Sequence, residues 1–182
     1  MDDSDHALIK AIGTGDHLAF ELLVQRYQHA VLNFIFRCTG DRHSAEDLAQ
    51  EVFMRVYRAS SDFEPRGKVS TWIFKIAHNL CLNEAKRGMR RERLHHTLST
   101  QGTAAGGYVS SQGIEHHEFE YKRDLMHALE ELPDNQRAAL LLRVSEGLSY
   151  AEISRVLSVT VSSVESLIFR ARTRLRQILE KH

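Results

Sequence analysis

The C-terminal part of the sequence carries hydroxyl and guanidinium side chains at helical spacing, opposite an apolar stripe. Short hydroxyl side chains let a helix backbone approach DNA closely, and Arg170 can reach a guanine edge or a phosphate. The outward set is Ser162, Ser163, Ser166, Arg170 and Thr173, and the inward set is Val164, Leu167, Ile168, Ala171, Leu175 and Ile178. This pattern predicts a DNA-contacting helix, with an ordinary solvated face as the alternative.

A shorter helix is predicted immediately before it. Ser149 and Glu152 have the spacing of a capping box, which predicts a helix from Tyr150 to Leu157. The turn Ser158–Thr160 then separates the two helices. Two helices joined by so short a turn indicate a helix-turn-helix, although a plain helical hairpin has the same pattern.

A second polar surface is predicted on a helix from Thr71 to Arg91. Amides can hydrogen-bond the Watson–Crick edge of an unpaired base while nearby cations hold the backbone, a combination suited to a separated DNA strand. A solvated helix face is the equally simple interpretation. The outward residues are Lys75, Asn79, Asn83, Lys86, Arg87 and Arg90.

A third surface is acidic and partly apolar, and it lies on the helix that Ser44 and Asp47 are predicted to begin through a near capping box. Such a face suits a protein partner better than DNA, and solvent exposure alone is again the alternative. Its outward residues are Asp47, Gln50, Glu51, Met54 and Arg58.

The elements that position these surfaces are predicted to be helices, because 3.6-residue periodicity dominates and only two prolines occur. A long helix is expected between an Asp16 N-cap and Gly40. The expected fold class is all-α, with two small helical domains at 1–94 and 119–182. Residues 95–118 are rich in Gly, Ser, Thr, Gln and His, which is typical of a flexible linker.

Composition excludes several functional classes. The chain has 24 basic and 24 acidic residues, but the basic ones cluster in two patches and the acidic ones crowd the first third. No apolar run is long enough to span a bilayer, and the acidic start differs from a signal peptide. No catalytic loop or clustered metal ligands occur, so we expect no enzyme activity, cofactor or metal. The pairs His95–His96 and His116–His117 are interpreted as surface residues.

The two cysteines, Cys38 and Cys81, each lie within an apolar-periodic segment. They are interpreted as buried reduced thiols, with a redox role as the alternative.

Four segments resemble the extracytoplasmic-function group of bacterial sigma factors. Their order and separation agree with that group over nearly the whole chain, and the domains between sigma domains 2 and 4 of larger sigma factors are missing. The segments are Asp47-Leu48-Ala49-Gln50-Glu51-Val52-Phe53, Ser70-Thr71-Trp72-Ile73-Phe74-Lys75-Ile76-Ala77-His78-Asn79, Gly147-Leu148-Ser149-Tyr150-Ala151-Glu152-Ile153 and Ile168-Phe169-Arg170-Ala171-Arg172.

The resemblance implies a role for each surface. The acidic face would bind the β′ clamp helices of core RNA polymerase through Asp47, Gln50, Glu51, Phe53 and Met54. The basic amide face would capture a melted −10 strand through Trp72, Lys75, Asn79, Asn83, Lys86 and Arg87, with Trp72 alternatively a core residue. The last helix would contact the −35 duplex through Ser162, Ser163, Ser166, Phe169 and Arg170, with Arg143 on a phosphate.

The resemblance also implies partners and regulation. We expect a cytoplasmic factor that directs promoter-specific transcription and contacts the β flap of the polymerase as well as β′. We also expect it to be controlled by an anti-sigma factor. No small-molecule substrate or membrane insertion is implied. A stand-alone helix-turn-helix regulator is the alternative, and it would leave the Asp47 and Asn79 faces without a role.

Two residues depart from the pattern of the group. Glu165 stands where many relatives have a cation, and Leu167 replaces a frequent arginine. The carboxylate of Glu165 can accept a hydrogen bond from a cytosine amino group, or it can close a capping box with Ser162. We favour the cap.

Overall fold

The computed structural model of the chain describes residues 2–64, 67–98 and 124–180. Every regular element within these ranges is an α-helix, which confirms the all-α prediction. The helices are α1 (Asp2–Gly13), α2 (His17–Thr39), α3 (Arg42–Ala59), α4 (Val69–Leu98), α5 (124–130), α6 (Asp134–Val144), α7 (Tyr150–Leu157) and α8 (Val161–Leu179).

Helices α1 to α4 pack around one apolar core that orients the outer faces of α3 and α4. Phe34 of α2 contacts Phe74 of α4 edge-on, with ring centroids 5.4 Å apart, and both are almost completely buried. Helix α2 begins where the Asp16 side chain accepts a hydrogen bond from the Ala19 amide and ends at Gly40. Gly40 adopts a φ of 73°, which a residue without Cβ tolerates, so both predicted ends of α2 are confirmed.

Two predicted helix starts are wrong. Helix α3 is capped by Asp41, whose carboxylate accepts hydrogen bonds from the amides of His43 and Ser44, so Ser44 lies inside the helix. Helix α4 begins at Val69, before the predicted start at Thr71, so Ser70 is helical as well. The first helical residues, Arg42 and Val69, each lie two positions before the predicted starts at Ser44 and Thr71. Asp41 supplies the better acceptor at α3 because it is ionised and reaches two orphan amides.

Helix α1 was not expected from the sequence. Its Ile9 is fully buried, and its Asp5 is only 3% exposed. The Asp5 carboxylate forms an ion pair with Arg26 and accepts a hydrogen bond of 2.5 Å from the hydroxyl of Tyr27, both on α2. A buried carboxylate is tolerated only with such partners, so this cluster fixes how α1 packs on α2.

Helices α5 to α8 form the second helical unit, and it packs against the first. Helix α7 lies on α4 and helix α6 lies near α2. Lys68 Nζ is 2.8 Å from Glu152 Oε1, and Arg37 Nη1 donates to Ser145 Oγ at 2.9 Å. The predicted linker begins inside α4, which extends to Leu98, and its remainder lies outside the described residues.

Candidate nucleic-acid and protein interfaces

The outer face of α3 keeps three of the predicted side chains in solvent. Asp47 and Gln50 are exposed, and Met54 is 43% exposed. Glu51 is half-buried and accepts a hydrogen bond of 2.7 Å from Arg55 Nε, which lowers the pKa of its carboxyl. Together they form an acidic surface with an apolar thioether, as expected.

Phe53 is a correction to this set. It is 7% exposed and belongs to the core, so its ring is not available to a partner on this surface. The helical spacing explains the difference, because Val52, Phe53 and Val56 together face α2 and α4.

The outer face of α4 carries the predicted amides and cations. Lys75, Asn79, Asn83, Lys86 and Arg87 are all exposed and recur at spacings of three and four residues. Arg87 lies 3.7 Å from Glu84 Oε2, an exposed pair that water screens strongly. The amides therefore lie in one row, with the positive charge beside its C-terminal half.

Trp72 lies at the N-terminal end of that row and is half-buried. Its ring packs against Phe63 with a centroid separation of 4.6 Å. Both rings line a groove of about 310 Å³ that also includes Lys75 and, from the second helical unit, Arg155. The indole of Trp72 thus packs on the core and also lines the surface groove. Arg155 adds a cation to this groove, and the sequence did not predict it because Arg155 lies far from Trp72 along the chain.

Helix α8 begins at Val161 and is capped by Thr160, whose hydroxyl accepts a hydrogen bond from the Ser163 amide at 3.2 Å. The third residue of the helix is therefore Ser163, and Ser162 is inside the first turn. A capping box between Ser162 and Glu165 is excluded, so the interpretation of Glu165 that we favoured is wrong. The Glu165 side chain is exposed.

The outward face of α8 matches the sequence-based expectation. Ser162, Ser166 and Arg170 are exposed, Ser163 is half-buried, and Phe169 is 72% exposed. The hydroxyl of Ser166 donates to the carbonyl of Ser162 at 3.1 Å, which leaves its lone pairs outward. The exposed phenyl ring of Phe169 therefore lies on the same helix as the exposed hydroxyl and guanidinium groups.

Arg143 lies at the end of α6 and is exposed, as a phosphate-contacting residue should be. Its Nη1 donates to the carbonyl of Leu148 at 3.0 Å, and its guanidinium lies 5.5 Å from the centre of the Tyr150 ring. These contacts fix the loop before α7 and leave further N–H groups for an anion.

The capping box that opens α7 is present. The hydroxyl of Ser149 accepts from the Glu152 amide at 3.3 Å, and Glu152 Oε2 accepts from the Ser149 amide at 2.7 Å. Burial alone would raise the pKa of Glu152, but hydrogen bonds from Lys68 and Ser149 lower it to about 2. Glu152 therefore remains charged at neutral pH, and it joins the start of α7 to the start of α4.

Replacing Ser149 by alanine is expected to destabilise the chain by about 1 kcal/mol, because the start of α7 loses its cap. The matched control is Ser154→Ala in the same helix, where the hydroxyl only donates to the carbonyl of Ala151 and alanine is a good helix former. Thermal unfolding monitored by circular dichroism measures both. Equal melting temperatures for the two variants would contradict the role of the cap.

Both cysteines line one cavity of about 360 Å³, together with His78. Cys81 is buried and Cys38 is half-buried, and both are free thiols. A hydrogen bond with Cys81 and burial raise the pKa of Cys38, and burial lowers the pKa of His78 to about 4. The Cys38 thiol and the His78 imidazole are therefore uncharged near neutral pH. The burial of Cys81 agrees with the expected buried thiol, and Cys38 is less buried than expected.

Two findings concern only the described parts of the chain. None of their histidine, cysteine and carboxylate side chains cluster as metal ligands do. None of their helices combines the length and the apolar character that crossing a membrane requires. His116 and His117 lie outside the described residues, as do the side chains of His95 and His96.

Family models match segments in both helical units. Residues 23–91 match the family described as Sigma-70 region 2, and residues 122–175 match Sigma-70, region 4. The RNA polymerase sigma-H factor of Pseudomonas aeruginosa is 35% identical over 183 residues, covering 98% of this chain and 95% of that protein. The ECF RNA polymerase sigma-E factor of Escherichia coli K12 is 32% identical over 176 residues, covering 93% of this chain and 91% of that protein.

A solved structure supports the fold independently. The structure of CnrH in complex with the cytosolic domain of CnrY superposes with a TM-score of 0.73 at 24% identity, covering 98% of this chain and 99% of that one. The helical architecture is thus shared, and the sequence matches span most of both chains. The chain therefore belongs to the extracytoplasmic-function group of the sigma-70 family.

Proposed function

We propose that this chain binds core RNA polymerase and directs it to promoters by contacting a −35 duplex and a melted −10 strand. The observation that carries the proposal is the presence of three differently built outer faces on one chain. The acidic face lies on α3, the basic amide face on α4, and the hydroxyl and arginine face on α8. A stand-alone regulator would need only the last of them.

The DNA contacts divide between the two helical units. Helix α8 follows a capped helix and a short turn, the arrangement in which the second helix enters the major groove. Ser162, Ser163, Ser166, Phe169 and Arg170 would contact the −35 element there, and Arg143 a neighbouring phosphate. On α4, Asn79 and Asn83 would hydrogen-bond unpaired −10 bases while Lys75, Lys86 and Arg87 hold the backbone.

The protein contacts fall on α3. Asp47, Gln50 and Met54 supply exposed charge, amide and thioether, a composition suited to a protein partner, and Glu51 extends this surface. We assign it to the β′ clamp helices of the polymerase, and the second helical unit to the β flap. Polymerase performs the catalysis, and the chain itself acts as a specificity factor in the cytoplasm, without a cofactor.

We also propose the bounds of the two domains and a regulatory partner. Residues 1–94 would form the polymerase-binding and −10-binding domain, and 119–182 the −35-binding domain. A solved relative in the comparison is described as a sigma factor in complex with an anti-sigma factor, from Bartonella quintana. We infer that a similar regulator covers the exposed faces of this chain when transcription is off.

The test is transcription in vitro from a genomic fragment library with core RNA polymerase, with and without the chain. Discrete transcripts that require the chain are expected. Absence of such transcripts, combined with no binding of core polymerase at micromolar concentration, would favour a stand-alone regulator instead.

The same assay tests the −10 surface. Asn79→Ala is expected to reduce transcript yield about tenfold, because a lost base contact costs about 1–3 kcal/mol. The matched control is Asn135→Ala, an exposed amide on α6. A premelted −10 template should not rescue Asn79→Ala if the amide contacts bases directly, and full rescue would contradict base contact.

A further inference from the structure

We propose that Glu165 selects a C·G base pair in the −35 element by accepting a hydrogen bond from the cytosine amino group in the major groove. This inference rests on the proposed function, because it assumes that α8 enters the groove. It goes further by assigning one base preference to one side chain.

The Glu165 carboxylate does not stabilise helix α8 itself. Thr160 caps α8 through the Ser163 amide, so the capping-box position of this helix is Ser163 and Glu165 lies two residues beyond it. Among the described residues, Glu165 has no ion pair or hydrogen-bond partner for its side chain, and that side chain is exposed. A structural explanation for this carboxylate is therefore lacking.

The position of Glu165 on α8 places it near the groove. Glu165 lies in the second turn of α8, which begins at Val161, and the N-terminal part of such a helix contacts base edges. It is one residue before Ser166 and four before Phe169, which is 72% exposed. Residues four apart lie on the same face, about 6 Å apart along the axis. Glu165 thus belongs to the face that meets the groove.

The carboxylate of Glu165 can bind only a hydrogen-bond donor in the groove. An ionised carboxylate only accepts hydrogen bonds, and phosphates repel it, so its place in a DNA-facing helix requires a donor. Guanine and thymine present acceptors in the major groove, and adenine presents an acceptor beside its amino group. Cytosine presents the amino donor without an adjacent acceptor on the same base, so it is the base that a glutamate favours.

The experiment starts from one promoter that the wild-type chain uses in the library assay. Its −35 element is randomised, and the reconstituted holoenzyme selects templates by transcript yield. The wild type should prefer C·G at one position by about tenfold. Glu165→Gln should change that position toward adenine, whose edge a carboxamide matches, and Glu165→Ala should lose the preference there.

The matched control is Glu180→Gln, which removes an exposed carboxylate at the end of α8. Its selected sequence should equal that of the wild type. If Glu165→Gln selects the same bases as the wild type, or if both Glu165 variants strengthen all sequences equally, direct contact with cytosine is overturned. If the wild-type chain yields no promoter at all, the proposed function itself fails, which is a distinguishable result.

Discussion

The double variant Asp47→Ala/Glu51→Ala is expected to weaken binding of core RNA polymerase by about a hundredfold, because truncating charged contacts at the centre of an interface costs about 1.4 kcal/mol each on average. Transcription that depends on the chain should fall in parallel. Folding should be unaffected, because Asp47 is exposed and neither residue caps the helix, a role that belongs to Asp41.

The two carboxylates are not equivalent, and the single variants should differ. Asp47 has no ion pair or hydrogen-bond partner for its side chain among the described residues, so a polymerase cation can bind it directly. Glu51 is already held by Arg55 at 2.7 Å, and that exposed pair must rearrange when a partner binds. We therefore expect Asp47→Ala to cost more than Glu51→Ala.

Binding of a fluorescently labelled chain to core polymerase at several salt concentrations measures these differences. The wild type should bind with stronger salt dependence than the double variant, since screening weakens exposed charge pairs. The control Glu21→Ala/Asp62→Ala removes two exposed carboxylates of the first helical unit that lie outside α3. If it weakens binding equally, net charge rather than the Asp47 surface determines affinity.

The outer faces could be predicted from the sequence because exposure follows from helical periodicity alone. Once Val52 and Val56 point inward, Asp47 and Met54 must point outward, and the same argument places Asn79 opposite Ile73 and Ala77. The prediction failed at Phe53, which the resemblance placed on the surface. Periodicity would have corrected it, since Phe53 is adjacent to the buried stripe.

Contacts between distant segments could not be predicted in this way. Helix α1 depends on the pairing of Asp5 with Arg26 and Tyr27, and a single acidic residue near the N-terminus gives no sign of burial. The N-cap of α8 could not be predicted, because two nearby hydroxyl residues have similar intrinsic preferences for the N-cap position. Thr160 and Ser162 both qualify from the sequence, and in the structure Thr160 is the cap.

Arg137 is the most consequential of these unpredicted residues. It lies in a helical segment with apolar neighbours, and its guanidinium is buried at the junction of α2, α5 and α6. Nη1 donates to the carbonyl of Cys38 at 2.5 Å, and Nη2 donates to the carbonyl of Leu132 at 3.0 Å. The cation thus satisfies the Cys38 carbonyl in the last turn of α2 and the Leu132 carbonyl in the turn after α5, close to helix ends where the dipole also favours positive charge.

Arg137→Met is therefore expected to destabilise the chain by about 3 kcal/mol, because at least two carbonyls lose their donor in a buried place. Arg137→Lys should recover only part of this, since one ammonium cannot span both helix ends. Urea unfolding followed by circular dichroism measures the loss, and Arg174→Met on the exposed face of α8 is the control. Equal unfolding midpoints for Arg137→Met and Arg174→Met would mean that water replaces the guanidinium at little cost, and that the two helical units associate without it.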